Sequence, residues 1–250
     1  MKRLILLFFA IIPLLAFSQK KIEHQSLIWY GYFQKIELNE KWYIESEVQE
    51  RHFINPFAQH QLLLRSHLHR SLGGGWEVST GGCLFFQNPN DPNAISKLTV
   101  PELRPHVEFA YNQKLKYFDL DYRYRTEFRF HHNTNVDRTF LEDGYEFSNI
   151  RFRCRVQATV PIYKKNLKIK TSNELHINAG NKITKNVFEQ NRLYVGLSYT
   201  SSPSLTTDIG YMNWFQQRSD GNYFSRDILR FTIYHKINKN KHGKNIKRPG

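Results

Sequence analysis

The chain has 250 residues, 36 Lys and Arg against 22 Asp and Glu, a formal net charge of +14 and only two cysteines. Two thiols exclude a disulfide framework, and no apolar run beyond the N-terminus approaches the ~18 residues of a transmembrane helix. Lys2, Arg3 and the basic end from Asn238 to Gly250 hold much of the surplus, so the rest carries about +7 with both signs mixed, which argues against a nucleic-acid partner.

The first element is "MKRLILLFFAIIPLLAFSQ". Lys2 and Arg3 precede an apolar stretch from Leu4 to Leu15, and Ala16 and Ser18 sit at −3 and −1 of a cut before Gln19. This is the pattern of a secretory signal peptide over 1–18. No Cys stands at the cut, so a lipid anchor is not expected. The mature chain is expected to hold one barrel domain over 19–237 and a basic, disordered tail over 238–250.

From there the period is two almost everywhere. Eleven strands follow in order, near 24–35, 41–52, 59–71, 76–87, 102–113, 115–131, 147–160, 167–178, 188–200, 205–215 and 226–237. Short and long connections alternate between them. That is the pattern of an all-β, antiparallel up-and-down barrel, with tight turns at one rim and loops at the other. Single-chain bacterial barrels have even strand numbers. The expectation is therefore 10–12 strands with twelve preferred, the missing one falling in Gln19–Ser26 or Thr134–Glu146.

Each strand has two unlike faces. In "FDLDYRYRTEFRFH", Asp119, Asp121, Arg123, Arg125, Glu127 and Arg129 alternate with Phe118, Leu120, Tyr122, Tyr124, Phe128 and Phe130. The fifth strand sets Glu102, Arg104, His106 and Glu108 against Leu103, Val107 and Phe109. The seventh sets Arg151, Arg153 and Arg155 against Phe152, Cys154 and Val156. A soluble barrel would put the apolar face inside, and a membrane barrel would put it outside. Mixed charge signs on neighbouring polar faces, aromatic-rich apolar faces and strands near 13 residues favour the membrane barrel. Such a strand spans ~40 Å, or ~30 Å once tilted, against an apolar band of ~25 Å. Glu102, Glu108, Asp119, Asp121, Arg123, Arg125, Glu127, Arg129, Arg151, Arg153 and Arg155 are then expected to line the lumen, in a register that sets Asp119, Asp121 or Glu127 near the arginines of the seventh strand.

The segments "RYRTEFRF", "NIRFRCRVQATVPI" and "NRLYVGLSYTSSPSLTTDIGYMNW", with the signal ending "FSQ", resemble a domain-of-unknown-function (DUF) family of short outer-membrane-type β-barrels in Bacteroidetes-like bacteria. The resemblance covers essentially the whole mature chain. It implies a location, the bacterial outer membrane, and a fold. It implies no activity and no catalytic residues.

Candidate chemistry is sparse. His60, His67, His69, His106, His131, His132 and His176 are tempting, but Ser66 and His67 face opposite ways by parity, and no GxSxG, HExxH or paired-carboxylate signature occurs. Asn90, Asp91 and Asn93 offer oxygen ligands, yet are equally plain turn formers. Cys83 and Cys154 fall on opposite faces and are not expected to pair. The expectation is a non-enzyme without cofactor or metal, structural or a narrow, anion-preferring channel. Its partners would be outer-membrane lipid and the barrel insertion machinery. A membrane-embedded lipid or lipopolysaccharide hydrolase and a soluble periplasmic ligand-binding barrel are the alternatives.

Overall fold

The computed structural model describes residues 20–163 and 166–238. The expected signal peptide and the basic tail from 239 onward lie outside them. The described residues form eleven strands and no helix. They are β1 (Ile22–Glu37), β2 (Trp42–Phe53), β3 (Ala58–Gly73), β4 (Trp76–Gln87), β5 (Val100–Lys114), β6 (Asp119–Thr134), β7 (Leu141–Tyr163), β8 (Leu167–Ala179), β9 (Phe188–Ser202), β10 (Leu205–Gln217) and β11 (Tyr223–Asn238). Each strand pairs with its sequence neighbour, and β1 pairs with β11 to close a barrel.

That closure corrects two expectations. Ile22 to Glu37 run parallel to Tyr223 to Asn238, residue for residue, so one seam of the barrel is parallel. A parallel seam lets an odd number of strands close, and eleven, not twelve, are present among the described residues. The two stretches held open for a twelfth strand extend existing ones. Ile22–Ser26 begins β1, and Leu141–Glu146 begins β7, which reaches 23 residues. Leu141 to Phe147 are exposed, so the β6–β7 hairpin projects beyond the wall.

The tight turns share one rim. At 73–75 three glycines in succession take positive φ, of 87°, 60° and 88°, a backbone that side chains disfavour. The other rim carries the longer connections, among them Asn88–Thr99, Asn135–Phe140 and Gly180–Val187. The Asn88–Thr99 loop folds over the mouth. Asn90 Oδ1 accepts from Arg226 at 3.1 Å and lies 3.2 Å from His60 Nε2, and the Asn90 carbonyl accepts from Gln25 at 2.9 Å. The Ser96 hydroxyl donates to the Arg138 carbonyl of the β6–β7 loop.

The wall is inverted relative to a water-soluble barrel. Val48, Val107, Phe109, Val156, Val195 and Leu229 are each more than 40% exposed. Glu102, Arg125, Glu127 and His176 are 0–1% exposed. The interior is not uniformly polar. Leu27, Trp29, Phe53, Met212, Trp214 and Ile228 form a buried apolar cluster where β1 meets β10 and β11. Apolar side chains fall on both faces of those strands, among buried polar residues such as Asp208, Arg226 and Thr232, so parity alone leaves their orientation open.

A close approach sets one local requirement. Gly196 and Gly210 stand opposite each other, and the Tyr194 ring lies over them. A Cβ on Gly210 would come within 2.5 Å of the Val195 carbonyl oxygen and 2.7 Å of Tyr194 Cε2, whereas one on Gly82 would meet nothing within 4 Å. Gly210→Ala should therefore lower the denaturant midpoint by an amount equivalent to about 1–3 kcal/mol. Gly82→Ala should stay within ~0.5 kcal/mol. Equal midpoints for the two variants would contradict the packing.

Candidate functional site: a charged ladder and its cavity

The inward rows of β5 to β9 meet as a chain of alternating charges. Glu102 accepts from Arg104 at 2.7 and 2.6 Å and from Arg129 at 2.5 and 3.2 Å. Arg129 also reaches Glu189 at 3.2 Å, and Glu189 bonds Arg151 at 3.0 Å. Arg151 donates to Glu127 at 2.8 Å, and Glu127 accepts from Arg153 at 2.6 Å. Arg153 reaches Glu174 at 2.9 Å, and Glu174 accepts from Arg123 at 2.5 Å. Arg123 lies 3.6 Å from Glu108, which bonds Arg125 at 2.6 Å. Arg125 then returns to Glu127 at 3.7 Å, closing the circuit. Every glutamate in it bridges at least two guanidinium groups, the planar forks best suited to shared carboxylates.

The β6–β7 register meets the expectation at one acid of the three. Glu127 does stand opposite Arg151, but Arg123 faces Arg155 and Arg125 faces Arg153. Like charges are directly opposed twice. Three of the four are compensated from the outer neighbours of the pair: Arg125 by Glu108 on β5, and Arg123 and Arg153 by Glu174 on β8, which stands opposite Arg155 without bonding it. Asp119 and Asp121 lie nearer the short-turn rim, opposite Thr159 and Gln157, and Asp121 accepts from Asn112 at 2.7 Å. Those acids are displaced along the strand from the arginines they were expected to meet.

Parity also misses Glu189. A bulge between His176 and Ile177 of β8 leaves Glu189 as the extra residue of β9, so Glu189 and Gln190 both turn inward, at 5% and 1% exposure. Without the bulge, Glu189 would belong to the outer row. Glu174 and Arg104 were on polar faces legible from sequence, and only their partners were not.

An interior cavity of about 840 Å³ lies against this ladder. It extends from loop residues such as Asp91, Arg138 and Arg218 to Phe33, Lys170 and Tyr234. Fourteen Lys and Arg side chains border it, against five Asp and Glu. Counting Glu102, Glu108 and Glu127 behind the lining does not remove the surplus. Arg51, Arg155, Arg192 and Arg230 reach no carboxylate among the described residues. Arg51 instead bonds Gln61 at 2.7 Å and Gln49 at 2.8 Å, with its Cζ 3.9 Å from the Trp29 ring. Arg192 lies 4.9 Å from the Trp214 ring. Such stacking holds a guanidinium without neutralising it.

Residues 27–225 match the family described as "Protein of unknown function (DUF2490)". The chain belongs to that family. Among solved structures it is similar to one described as "NanC porin structure in rhombohedral crystal form", with a TM-score of 0.52 and 14% sequence identity over 84% of this chain and 99% of that one. At that identity the likeness is one of fold. A comparison with curated proteins found no match.

The DUF2490 barrel gives little support to a serine nucleophile. Ser66 lies on the outer face, 3.0 Å from Ser46, and away from the buried His67. Ser79 Oγ and His69 Nε2 are both buried without a hydrogen-bond partner, so they do not bond each other. No serine–histidine hydrogen bond occurs among the described residues. His176 sits between Gln190 at 2.6 Å and Glu174 at 3.2 Å, and His131, half-buried near the loop rim, reaches Glu102 at 3.2 Å. In the Asn88–Thr99 loop Asn90 turns into the barrel, while Asp91 accepts from the Asn93 backbone at 2.8 Å as a turn former does. Cys83 is buried with Leu63 and Phe85, Cys154 is exposed, and both are free thiols.

Removing one member of a buried pair strands the other charge in a poorly solvated interior, at a cost of about 3–5 kcal/mol. Glu102→Ala should lower unfolding stability by that order, since it strands Arg104 and leaves Arg129 with Glu189 alone. Glu146→Ala breaks an exposed pair with Lys182, whose side chains are 67% and 55% exposed, and should cost less than ~1 kcal/mol. Denaturant midpoints check both, and a Glu102→Ala midpoint near that of the parent would contradict the ladder's role.

Proposed function

We propose that this barrel spans the bacterial outer membrane and provides a narrow, anion-preferring passage. One observation carries the reading: a cavity bordered by fourteen basic and five acidic side chains, inside a wall whose outer face is apolar. Two further features support it. The shortest strands, β2 and β4, have 12 residues. At ~3.3 Å per residue and ~40° tilt that is ~30 Å of wall, enough for a ~25 Å hydrocarbon band. Polar groups on the outer face satisfy one another, as lipid would require. Asn173 and Asn191 exchange amide bonds of 3.0 Å, and the Tyr211 hydroxyl donates to Asp227 at 2.5 Å.

The arginines divide into two groups under this reading. Those of the ladder hold the wall together through glutamate. Arg51, Arg155, Arg192 and Arg230 leave charge uncompensated beside the cavity, where it attracts anions and repels cations. The crowded interior favours small solutes and weak flux.

Membrane residence predicts a contrast between adjacent residues. Val156 is 47% exposed on the outer face and Arg155 points inward. Val156→Arg should cost roughly 2–4 kcal/mol in lipid and impair assembly, while Arg155→Gln assembles normally. Outer-membrane fractionation after carbonate washing, with heat-modifiable gel mobility, reads both. Equal tolerance of the two changes, or release of the parent into the soluble periplasmic fraction, would favour a soluble barrel.

Selectivity tests the passage itself. Purified protein in planar bilayers under a KCl gradient should give a small conductance with an anion-selective reversal potential. Arg155→Gln combined with Arg192→Gln should weaken that preference. Cation selectivity in the parent, or no ion flux in either bilayers or liposomes, would reject the reading. Lipid release by the parent in detergent would favour a hydrolase instead.

A further inference from the structure

Near the short-turn rim, at residues that do not themselves border the cavity, the inner row of β2 to β5 brings imidazoles together. Glu45 stands opposite His67, His67 opposite Gly81, and Gly81 opposite His106. Gly81 is the gap in this row. A Cβ there would come within 2.5 Å of His67 Cβ, so only glycine leaves room for the rings on either side. Across it, the His67 and His106 ring centroids are 5.4 Å apart, and those of His67 and His69 are 4.3 Å apart. One ligand atom each from Glu45, His67 and His69 lies within 4.8 Å of the others.

The nitrogens left open by this packing point to a ligand. His67 Nδ1, His69 Nε2 and His106 Nε2 are buried without a hydrogen-bond partner, in residues only 4%, 4% and 2% exposed. A buried polar atom left unmatched costs about 1–3 kcal/mol, so three in ring contact are a standing cost unless something satisfies them together. The other nitrogen of His69 is already fixed. Its Nδ1 lies 2.7 Å from Glu77 Oε1, which also accepts from the Tyr43 hydroxyl at 2.7 Å. The Tyr43 ring stacks on His69 at 4.4 Å between centroids. His106 Nδ1 faces the Arg104 carbonyl at 3.4 Å. Metal-ligating histidines are held in this way, with one nitrogen on a carboxylate or carbonyl and the other free for the ion.

The charge balance is compatible with a cation. Glu45 and Glu77 are both present, and Arg65 and Arg125, the nearby arginines, are held by Glu47 at 2.5 Å and by Glu108 at 2.6 Å. Lys35 lies 3.5 Å from the Tyr43 ring centroid, on the far side of the cluster's support. A donor set of imidazoles with one carboxylate suits zinc and its neighbours and is poor for Mg²⁺ or Ca²⁺, which prefer all-oxygen sites.

We propose that Glu45, His67 and His69 form a binding site for a divalent transition-metal ion of the zinc class, with Glu77 and Tyr43 positioning His69 and the His106 ring packed against His67. The ion would tie β2 to β3. It is independent of the passage reading, since it uses neither the cavity nor the ladder.

The test uses full-length protein folded in detergent, stripped with chelator and titrated with ZnCl₂ against a chromophoric chelator. One equivalent should bind, and the denaturant midpoint should rise with Zn²⁺ but not with Mg²⁺ or Ca²⁺. His67→Ala and His69→Ala should each weaken binding at least ~100-fold, and Tyr43→Phe by roughly 10-fold, as expected of a supporting residue. His24→Gln, an exposed histidine of the outer face, should bind as the parent does. Undiminished uptake in both His67→Ala and His69→Ala, or no stoichiometric uptake by the parent, would overturn the site. If the alanine variants do not fold, Co²⁺ in the parent decides. Intense visible bands of a four-coordinate ion support the site, and the faint spectrum of hydrated Co²⁺ rejects it.

Discussion

Charge taken out of water must find its opposite, and that constraint organises this barrel. With the outer face committed to apolar side chains, every arginine and glutamate of the alternate rows has to point inward. Desolvating a single ion costs several kcal/mol, and attraction repays this only when geometry is good and remaining donors are filled. The circuit from Arg104 through Glu102, Arg129, Glu189, Arg151, Glu127, Arg153, Glu174, Arg123 and Glu108 to Arg125 meets that demand by sharing each carboxylate between guanidinium groups. It also ties strand register to charge. A one-residue slip of β6 against β7 would turn the whole charged row to the outside.

The rest of the interior is arranged around this ladder. The ladder occupies β5 to β9, and the apolar cluster of Trp29, Trp214 and Ile228 occupies the sector where the barrel closes. A parallel seam has no tight turn to fix its register. Packing does that work here: Leu27 and Ile228 stand opposite each other and are both fully buried. The cavity lies between the two sectors, so one side is bounded by paired ions and the other by aromatic rings. Arg51 and Arg192 sit on those rings, which explains how they keep their charge without a carboxylate.

Much of this was legible because a strand's period is an integer. Glu102, Glu108, Arg125, Glu127, Arg151 and Arg153 are buried on the rows that parity picks out, since no bulge interrupts the central portions of β5, β6 and β7. The strand positions were readable for the same reason. What failed were features that period two cannot encode. Closure through a parallel seam leaves no local pattern, so eleven strands looked like an incomplete twelve. The bulge at Glu189 reverses parity at one residue only. The facing of Arg123 with Arg155 depends on acids from β5 and β8, so an argument confined to β6 and β7 could not foresee it. Trp29 and Trp214 lie on strands that carry apolar and polar side chains on both faces, where alternation gives little information.

The same physics separates arginines that look equivalent in sequence. Arg153 and Arg155 are two residues apart on one inner row, yet Arg153 bonds Glu127 and Glu174 while Arg155 leaves its Nε buried without a partner. Reversing the charge of Arg153 would set a glutamate against two glutamates, and any change in permeation would be confounded by lost folding. Neutralising Arg155 relieves a repulsion with Arg123, its cross-strand partner, whereas reversing it would set a glutamate opposite Glu174. The uncompensated arginines are therefore the positions where charge can be altered with least damage to the wall. They are also where field in the cavity is least cancelled, so wall and cavity can be probed apart within a single strand.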